Sequence, residues 1–258
     1  MINTVEESVV MAMDGADSNL FPYLPYILQD LWEIGTSPEA VLKLIKKHTT
    51  DRSSLKILDL GCGKGAVSIK LAKAFKCHCH GVDAVEEFIA EAENKAKETN
   101  VDKYCRFESD DIRVRISDLR DYDVIILGAI GPVFGDYYST LSKVSKCIRE
   151  NGLVIVDDGY IDDGSEYSHP LAEQKSVILK QASDARMELI DEIIINKNEI
   201  KESDEHIYRN IKRRCQDLIE KHPGKKGLFI DYIRKQEEEN EVLETKLICS
   251  TMVFRKCD

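Results

Sequence analysis

Between Leu55 and Val156 the chain switches repeatedly between two spacings of apolar residues. Lys56 to Leu60, Cys77 to Val82, Tyr104 to Phe107, Asp123 to Leu127 and Leu153 to Val156 are short apolar runs of strand length. Between them, apolar residues recur at helical spacing. Val67, Leu71, Ala74 and Phe75 form one such stripe, and Val85, Phe88, Ile89, Ala92 and Ala96 form another. A third stripe, Tyr138, Leu141, Val144 and Ile148, is expected to stop at Asn151-Gly152 as a left-handed terminus. Strands alternating with helices of this length predict an α/β fold built on a doubly wound, mostly parallel sheet.

Before the sheet, residues 1–50 read as a helical cap. Leu24, Ile27, Leu28 and Leu31 share a face within Leu20 to Ile34, the regular helix starting after Pro25. Ser37-Pro38-Glu39 supplies a cap, a first-turn proline and a dipole-favoured acid for a second helix carrying Val41, Leu42 and Ile45. After the fifth strand, His169 to about Ala185 reads as a helix, and Met187 to Ile195 and Leu243 to Phe254 as two further strands. The charged stretch between those strands keeps helical periodicity on both sides of His222-Pro223-Gly224, predicting an inserted helical hairpin. The expected organisation is one domain over 1–258: cap 1–50, sheet core 55–196 and 241–256, insertion 197–240.

The chemistry concentrates where the first strand meets the first helix. Asp59-Leu60-Gly61-Cys62-Gly63-Lys64-Gly65 sets a glycine at every second position, allowing a left-handed backbone and close approach to a ligand. Asp83 ends the second strand about 20 residues later, where an acid can accept hydrogen bonds from a ribose diol. The spacing differs from the dinucleotide fingerprint, because the third glycine arrives one residue early. It also differs from a P-loop, because neither Ser nor Thr follows Lys64.

This loop resembles the first motif of the class I S-adenosylmethionine-dependent methyltransferases, D-x-G-x-G-x-G, and the resemblance extends roughly from Leu55 to Asp158. It implies a seven-stranded sheet and S-adenosylmethionine as cofactor, held by Asp59, Gly61, Cys62, Gly63, Gly65, Asp83, Ala84 and Leu127. An acid just past the third strand is implied to take the adenine amino group; Asp111 with Ile112 fits best by position, with Asp110 as the alternative. The slim loop Gly128, Ala129 and Gly131 would lie against the cofactor. Asp157 and Asp158 stand at the carboxyl end of the fifth strand, where open sheets bind ligands, and are the candidate bases. Tyr23, Tyr26, Trp32, Tyr160 and His169 are candidates to touch ligand or line the substrate pocket. The acidic pair is somewhat similar to that of metal-dependent catechol-type O-methyltransferases, but Leu127-Gly128-Ala129 stands where that subgroup has an Asp, so no metal is expected.

Composition narrows the partners. A net charge of -11 argues against general nucleic-acid affinity, leaving Lys212-Arg213-Arg214 as a local anion contact to consider. No apolar run approaches the ~20 residues of a membrane helix, and the amino terminus lacks a basic leader before an apolar core. The 8 scattered cysteines suit reduced thiols in a cytoplasm. Cys77-His78-Cys79-His80 cannot converge on one ion from a strand, because neighbouring side chains point to opposite faces. The expected function is methyl transfer to a small-molecule acceptor. The alternatives are a cofactor-binding sensor or partner subunit without catalysis and, less favoured by the loop spacing, a nicotinamide-dependent oxidoreductase.

Overall fold

A computed structural model describes residues 3–257. Three helices precede the sheet: α1 (Val5–Ala12), α2 (Leu24–Ile27) and α3 (Pro38–His48). Then follow β1 (Lys56–Leu60), α4 (Ala66–Phe75), β2 (His78–Asp83), α5 (Glu86–Glu98), β3 (Cys105–Ser109), α6 (Ile112–Arg115), β4 (Tyr122–Gly128) and α7 (Tyr137–Val144). The chain continues through β5 (Ile148–Tyr160), α8 (Lys175–Asp184), β6 (Met187–Ile194), α9 (Lys197–Lys221), α10 (Lys226–Thr245) and β7 (Ile248–Lys256). The seven strands form one sheet in the order β3-β2-β1-β4-β5-β7-β6, and β7 alone runs antiparallel to its neighbours. The order reverses between β1 and β4, which opens a crevice at the carboxyl ends of those strands.

Alternation along the strands divides the core into two layers. Ile57, Val124, Ile126, Leu153 and Ile155 pack against α3, α4 and α5. Leu58, Leu60, Ile125, Val154 and Val156 pack against α7 and α8 on the other face. A third cluster joins Leu24, Ile27 and Leu28 of the cap to Val85, just before α5, to Phe88 of α5 and to Ile211, Cys215, Leu218, Phe229 and Tyr232 of the α9–α10 hairpin. Through this cluster the inserted hairpin is packed onto the amino-terminal segment.

Several expected boundaries move, each for a local reason. The regular helix expected after Pro25 is a single turn, α2, with Pro25 inside its first turn, where a proline is tolerated, and a 3-10 turn over Ser18–Tyr23 precedes it. Its apolar stripe is nonetheless buried. α7 ends at Val144, so Ile148 belongs to β5, and Asn151-Gly152 lies within that strand rather than closing a helix. Tyr138, assigned above to the inward stripe, is 47% exposed, while Tyr137 packs inward. β5 continues through Asp157 and Asp158 to Tyr160 because β7 pairs with it along that length. His169 precedes α8 in a loop, and the residues from Leu243 to Thr245 are still helical in α10.

Candidate active site

β1 ends in a loop whose three glycines, Gly61, Gly63 and Gly65, all have left-handed φ (73°, 50° and 73°). The turn closes on itself: the Gly61 and Cys62 N–H groups both donate to the Val82 carbonyl at 2.8 and 3.1 Å, and Gly65 N–H donates to Cys62 O at 2.9 Å. A Cβ on Gly65 would meet the Phe107 ring at 2.8 Å, and one on Gly61 would overlap Ile130. A Cβ on Gly63 would meet no atom within 4 Å, so the loop offers open space at that position.

Asp59 lies beneath the loop, its carboxylate taking the Ser68 hydroxyl at 2.7 Å. Burial pushes its pKa up to about 6. The Asp83 carboxylate accepts from Gly63 N–H at 2.8 Å through one oxygen and from Val85 N–H at 2.9 Å through the other. Burial raises its pKa, against the pull of those N–H groups. Each oxygen keeps a further lone pair for a ligand hydroxyl. Ala84, next in the chain, is half-buried, and Cys62 turns its sulfur toward Gly81 and Gly63 O.

At the end of β3, the favoured position gives way. The Asp111 carboxylate caps α6 through Arg113 N–H at 2.9 Å and is clamped by the Arg113 guanidinium, with Nη2 at 2.9 Å. Hydrogen bonds from Arg113 hold its pKa below the usual value against the effect of burial. Arg113 also reaches Asn3 O at 2.8 Å and Ser8 Oγ at 3.0 Å, so the clamp serves to pin α1. Asp110 is the exposed carboxylate of the pair and accepts only the adjacent Asp111 N–H, at 2.8 Å. Asp110 therefore offers the freer carboxylate, while the Asp111 N–H is already donated to it and Ile112 is buried in the core.

Beyond β4 and β5 lies a cavity of about 350 Å³. Leu127, Ile130, Tyr137, Val156, Asp158 and His169 are among its walls. Ile130 also rests on Gly61, so the cavity adjoins the glycine loop. The chain approaches the cavity through a strained turn, with φ of 53° at Ala129, 60° at Gly131 and 99° at Gly135.

The two adjacent aspartates face opposite ways, as strand alternation requires. Asp157 takes the Thr251 hydroxyl at 2.7 Å and a Ser37 N–H, and burial pushes its pKa up to about 6. It thus ties β5 to β7 and to the segment entering α3. Asp158 takes the Tyr137 hydroxyl at 3.0 Å on one oxygen and Gly159 N–H at 2.8 Å on the other. Burial raises its pKa, the two donors opposing the rise, and raises the Tyr137 phenol far above its ordinary value, so Tyr137 remains the donor.

The substrate-pocket candidates separate. His169 lines the cavity. Tyr160 does not: it is buried, and its hydroxyl accepts from Lys175 at 3.2 Å. Tyr23 stands edge-on to Phe229 at 5.0 Å, and Tyr26 donates to Asp217 at 3.1 Å and accepts from Lys221 at 2.8 Å. Both anchor the hairpin. Arg213 and Arg214 are committed there too, each to Asp30 at 2.8 Å, and the Arg214 contact holds the Asp30 carboxyl down at about 2. Among the described residues no group of three His, Cys, Asp or Glu side chains is arranged to hold a metal ion. A second cleft, about 330 Å³ and lined by Lys56, His78 and Arg120, opens at the opposite ends of the strands, away from the glycine loop.

Two features went unread in the sequence. Lys64 points away from the loop's open side, is fully buried, donates to Leu28 O at 2.8 Å and pairs with Glu91 at 2.9 Å. Trp32 Nε1 donates to the Lys64 carbonyl at 3.1 Å, so the loop and the strap over it share a seam. Tyr137 was the other omission. The signal for it was an aromatic directly after the Asp136 cap, but helical periodicity alone does not separate it from Tyr138.

A loop of left-handed glycines at the switch point of a β3-β2-β1-β4-β5-β7-β6 sheet, with an acid closing β2, is the architecture of the class I methyltransferases. Residues 51–240 match the methyltransferase domain family, and the chain belongs to it. The malonyl-[acyl-carrier protein] O-methyltransferase of Bacillus cereus is 31% identical over 117 residues, 45% of this chain and 42% of that protein. The ubiquinone biosynthesis O-methyltransferase of Rickettsia akari is 30% identical over 115 residues, 44% of each chain. The chain thus spans less than half the length of these curated relatives. An S-adenosylmethionine-dependent methyltransferase from Geobacter sulfurreducens, solved with S-adenosyl-L-homocysteine, superposes with a TM-score of 0.75 at 15% identity, over 91% of this chain and 98% of that one. No helix among the described residues is long and apolar enough to cross a membrane.

Proposed function

We propose that this chain transfers a methyl group from S-adenosylmethionine to a small-molecule acceptor. The observation that carries the reading is the junction of Gly63 and Asp83, where an open left-handed glycine donates its N–H to a buried carboxylate with lone pairs to spare. A Cβ would fill that cradle, and an adenosyl ribose fits its donor set. In this reading Asp83 takes the ribose hydroxyls, Asp110 the adenine amino group, and the stretch from Leu127 to Gly131 the wall between cofactor and acceptor.

When bound, S-adenosylmethionine supplies a methyl carbon already activated by its sulfonium sulfur. The protein's work is then alignment and exclusion of water. Ile130 spans the boundary between loop and cavity, and Leu127 and Val156 keep the floor apolar. Asp158, oriented by Tyr137 and opening on the cavity, is the group placed to hold or accept a proton. Asp157 acts as a positioning residue for the strap rather than as a base. The α9–α10 hairpin and the amino-terminal segment pack together and onto Val85 and Phe88, within a single domain.

Isothermal calorimetry with S-adenosylhomocysteine and with NADH tests the cofactor. Heat with the first and none with the second is expected, and the reverse would overturn the reading. Labelled methyl transfer to a metabolite mixture then separates an enzyme from a sensor: cofactor binding with no labelled product would favour the sensor.

A further inference from the structure

The cavity beside the glycine loop has a sign of charge, and that sign restricts the acceptor. Asp136, Asp158 and Glu173 are among its lining residues, whereas no Lys or Arg lines it. The lysines of the flanking helices are engaged elsewhere. Lys143 donates to Phe134 O at 3.1 Å, and Lys175 pairs with Glu192 and donates to Tyr160 at 3.2 Å. Asp136 caps α7, and its hydrogen bonds from Ser139 hold it below the usual carboxylate range, so it is anionic at neutral pH. Asp158 has one neutral donor, Tyr137, and one backbone N–H, and no cation offsets it among the described residues. Asp157 and His169 line the cavity as well, and Ile130, Pro132, Val156 and Leu171 give it apolar walls.

A carboxylate or phosphate acceptor would meet these acids without a counter-ion. Like charges a few ångströms apart repel in a partly desolvated cavity. A cation gains what the anion loses. The location is fixed independently, by the glycine loop, the adjoining cavity and the family; the acids decide only which head group suits it.

We propose, building on the methyltransferase reading, that the acceptor is a primary or secondary amine with an apolar body, bound as its ammonium ion and methylated on nitrogen. Asp158 takes a proton from the ammonium, freeing the nitrogen lone pair. That pair forms the new C–N bond while the methyl–sulfur bond breaks and its electrons return to sulfur. The products are a methylated ammonium ion and the neutral thioether. The proton on Asp158 passes to solvent between turnovers. Tyr137 is the positioning residue, keeping one Asp158 oxygen occupied so that the carboxylate stays oriented.

The test uses the full chain saturated with S-adenosylhomocysteine and probes matched in body but not in head group: phenethylamine, 2-phenylethanol and 3-phenylpropionate, with the corresponding butyl series. Calorimetry is expected to show the amine bound at least about tenfold more tightly than either partner. In Asp158→Asn that preference should fall to within about threefold, with affinity for S-adenosylhomocysteine unchanged. Should that variant fail to fold, Asp136→Asn, at an exposed cap, should still lower the preference by about two- to fivefold. Labelled methyl from S-adenosylmethionine should appear on nitrogen. A carboxylate bound as well as the amine, or an amine bound no better than the alcohol, overturns the amine assignment while leaving the methyltransferase reading intact. Absence of S-adenosylhomocysteine binding would instead overturn the methyltransferase reading on which it rests.

Discussion

Lys64 offers the sharpest test of how the glycine loop is held. Its side chain is 0% exposed, yet its ammonium carries a charge to the Leu28 carbonyl and to Glu91, whose own side chain is 44% exposed. Replacing it in Lys64→Met keeps an unbranched stem but removes the donor, which also lies 5.6 Å from the centre of the Phe88 ring. Glu91 can recover water, so its loss is worth about 0–1 kcal/mol. The Leu28 carbonyl loses a charge-assisted hydrogen bond of about 1.5–3 kcal/mol. Relief from burying an ammonium offsets part of this, leaving a net destabilisation of about 1–3 kcal/mol.

For a chain of this size each kcal/mol lowers Tm by about 2–4 °C, so Lys64→Met should melt roughly 2–12 °C lower by scanning calorimetry. Glu91→Gln should move Tm by no more than about 4 °C, because its carboxylate is partly solvated already. Affinity for S-adenosylhomocysteine should fall more in Lys64→Met than in Glu91→Gln, since the strap joined to the loop through Lys64 is released only in the former. A Lys64→Met protein that melts at or above the wild type would refute the reasoning. It would mean that desolvation of the ammonium outweighs its bonds, as happens for some buried ion pairs.

Other positions separate stability from binding. Asp83→Ala removes the acceptor of two backbone N–H groups and should weaken S-adenosylhomocysteine binding by about 1–3 kcal/mol in calorimetry; unchanged affinity would exclude it as the ribose anchor. Gly61→Ala and Gly63→Ala both impose a left-handed φ on alanine, at a cost of about 1–2 kcal/mol. Only Gly61→Ala must also displace Ile130, so it should melt lower than Gly63→Ala, whereas Gly63→Ala should lose more cofactor affinity than stability. For Asp157 the folded pKa of about 6 lies above the ordinary 3.8, so its contribution is fully present below about 3.8 and is lost as pH rises through about 6. Asp157→Asn should remove that component, so the wild-type minus variant stability should fall by roughly 2–3 kcal/mol between pH 3.5 and 7; a flat difference curve in chemical denaturation would discard the buried-carboxylate account.

The layered core was legible because strand and helix periods are set by geometry that each segment carries itself. Ile57 and Leu58 fall on opposite faces, and Phe88, Ile89, Ala92 and Ala96 on one, whatever the rest of the chain does. Boundaries were less legible where pairing overrides local signals. Asn151-Gly152 has the composition of a helix stop, but β4 pairs with Ile148 before it and Leu153 after it, and the 13-residue β5 runs through it across a register shift. The amino-terminal segment failed differently: its apolar spacing marked burial correctly, but the helix expected after Pro25 stops at Ile27, and the stripe is buried without it.

The candidate site divides along the same line. Gly61, Gly63, Gly65 and Asp83 could be read because a backbone requirement leaves a residue-type signature at fixed spacing. The roles of Asp110 and Asp111 could not, since position distinguishes them by one residue while the deciding fact is the Arg113 guanidinium on Asp111, a contact that sequence spacing leaves undetermined. The same holds for Tyr23 and Tyr26, which lie before the sheet as pocket residues would, yet are held by Phe229 and Asp217 from more than 190 positions away. The Asp157-Asp158 pair lies between these cases. Alternation alone says that the two cannot share a task, and the contacts then assign Thr251 to one and Tyr137 to the other. That division leaves Asp158 as the member of the pair held by a hydroxyl of the cavity wall, Tyr137, within an acid-lined cavity suited to receiving a cation.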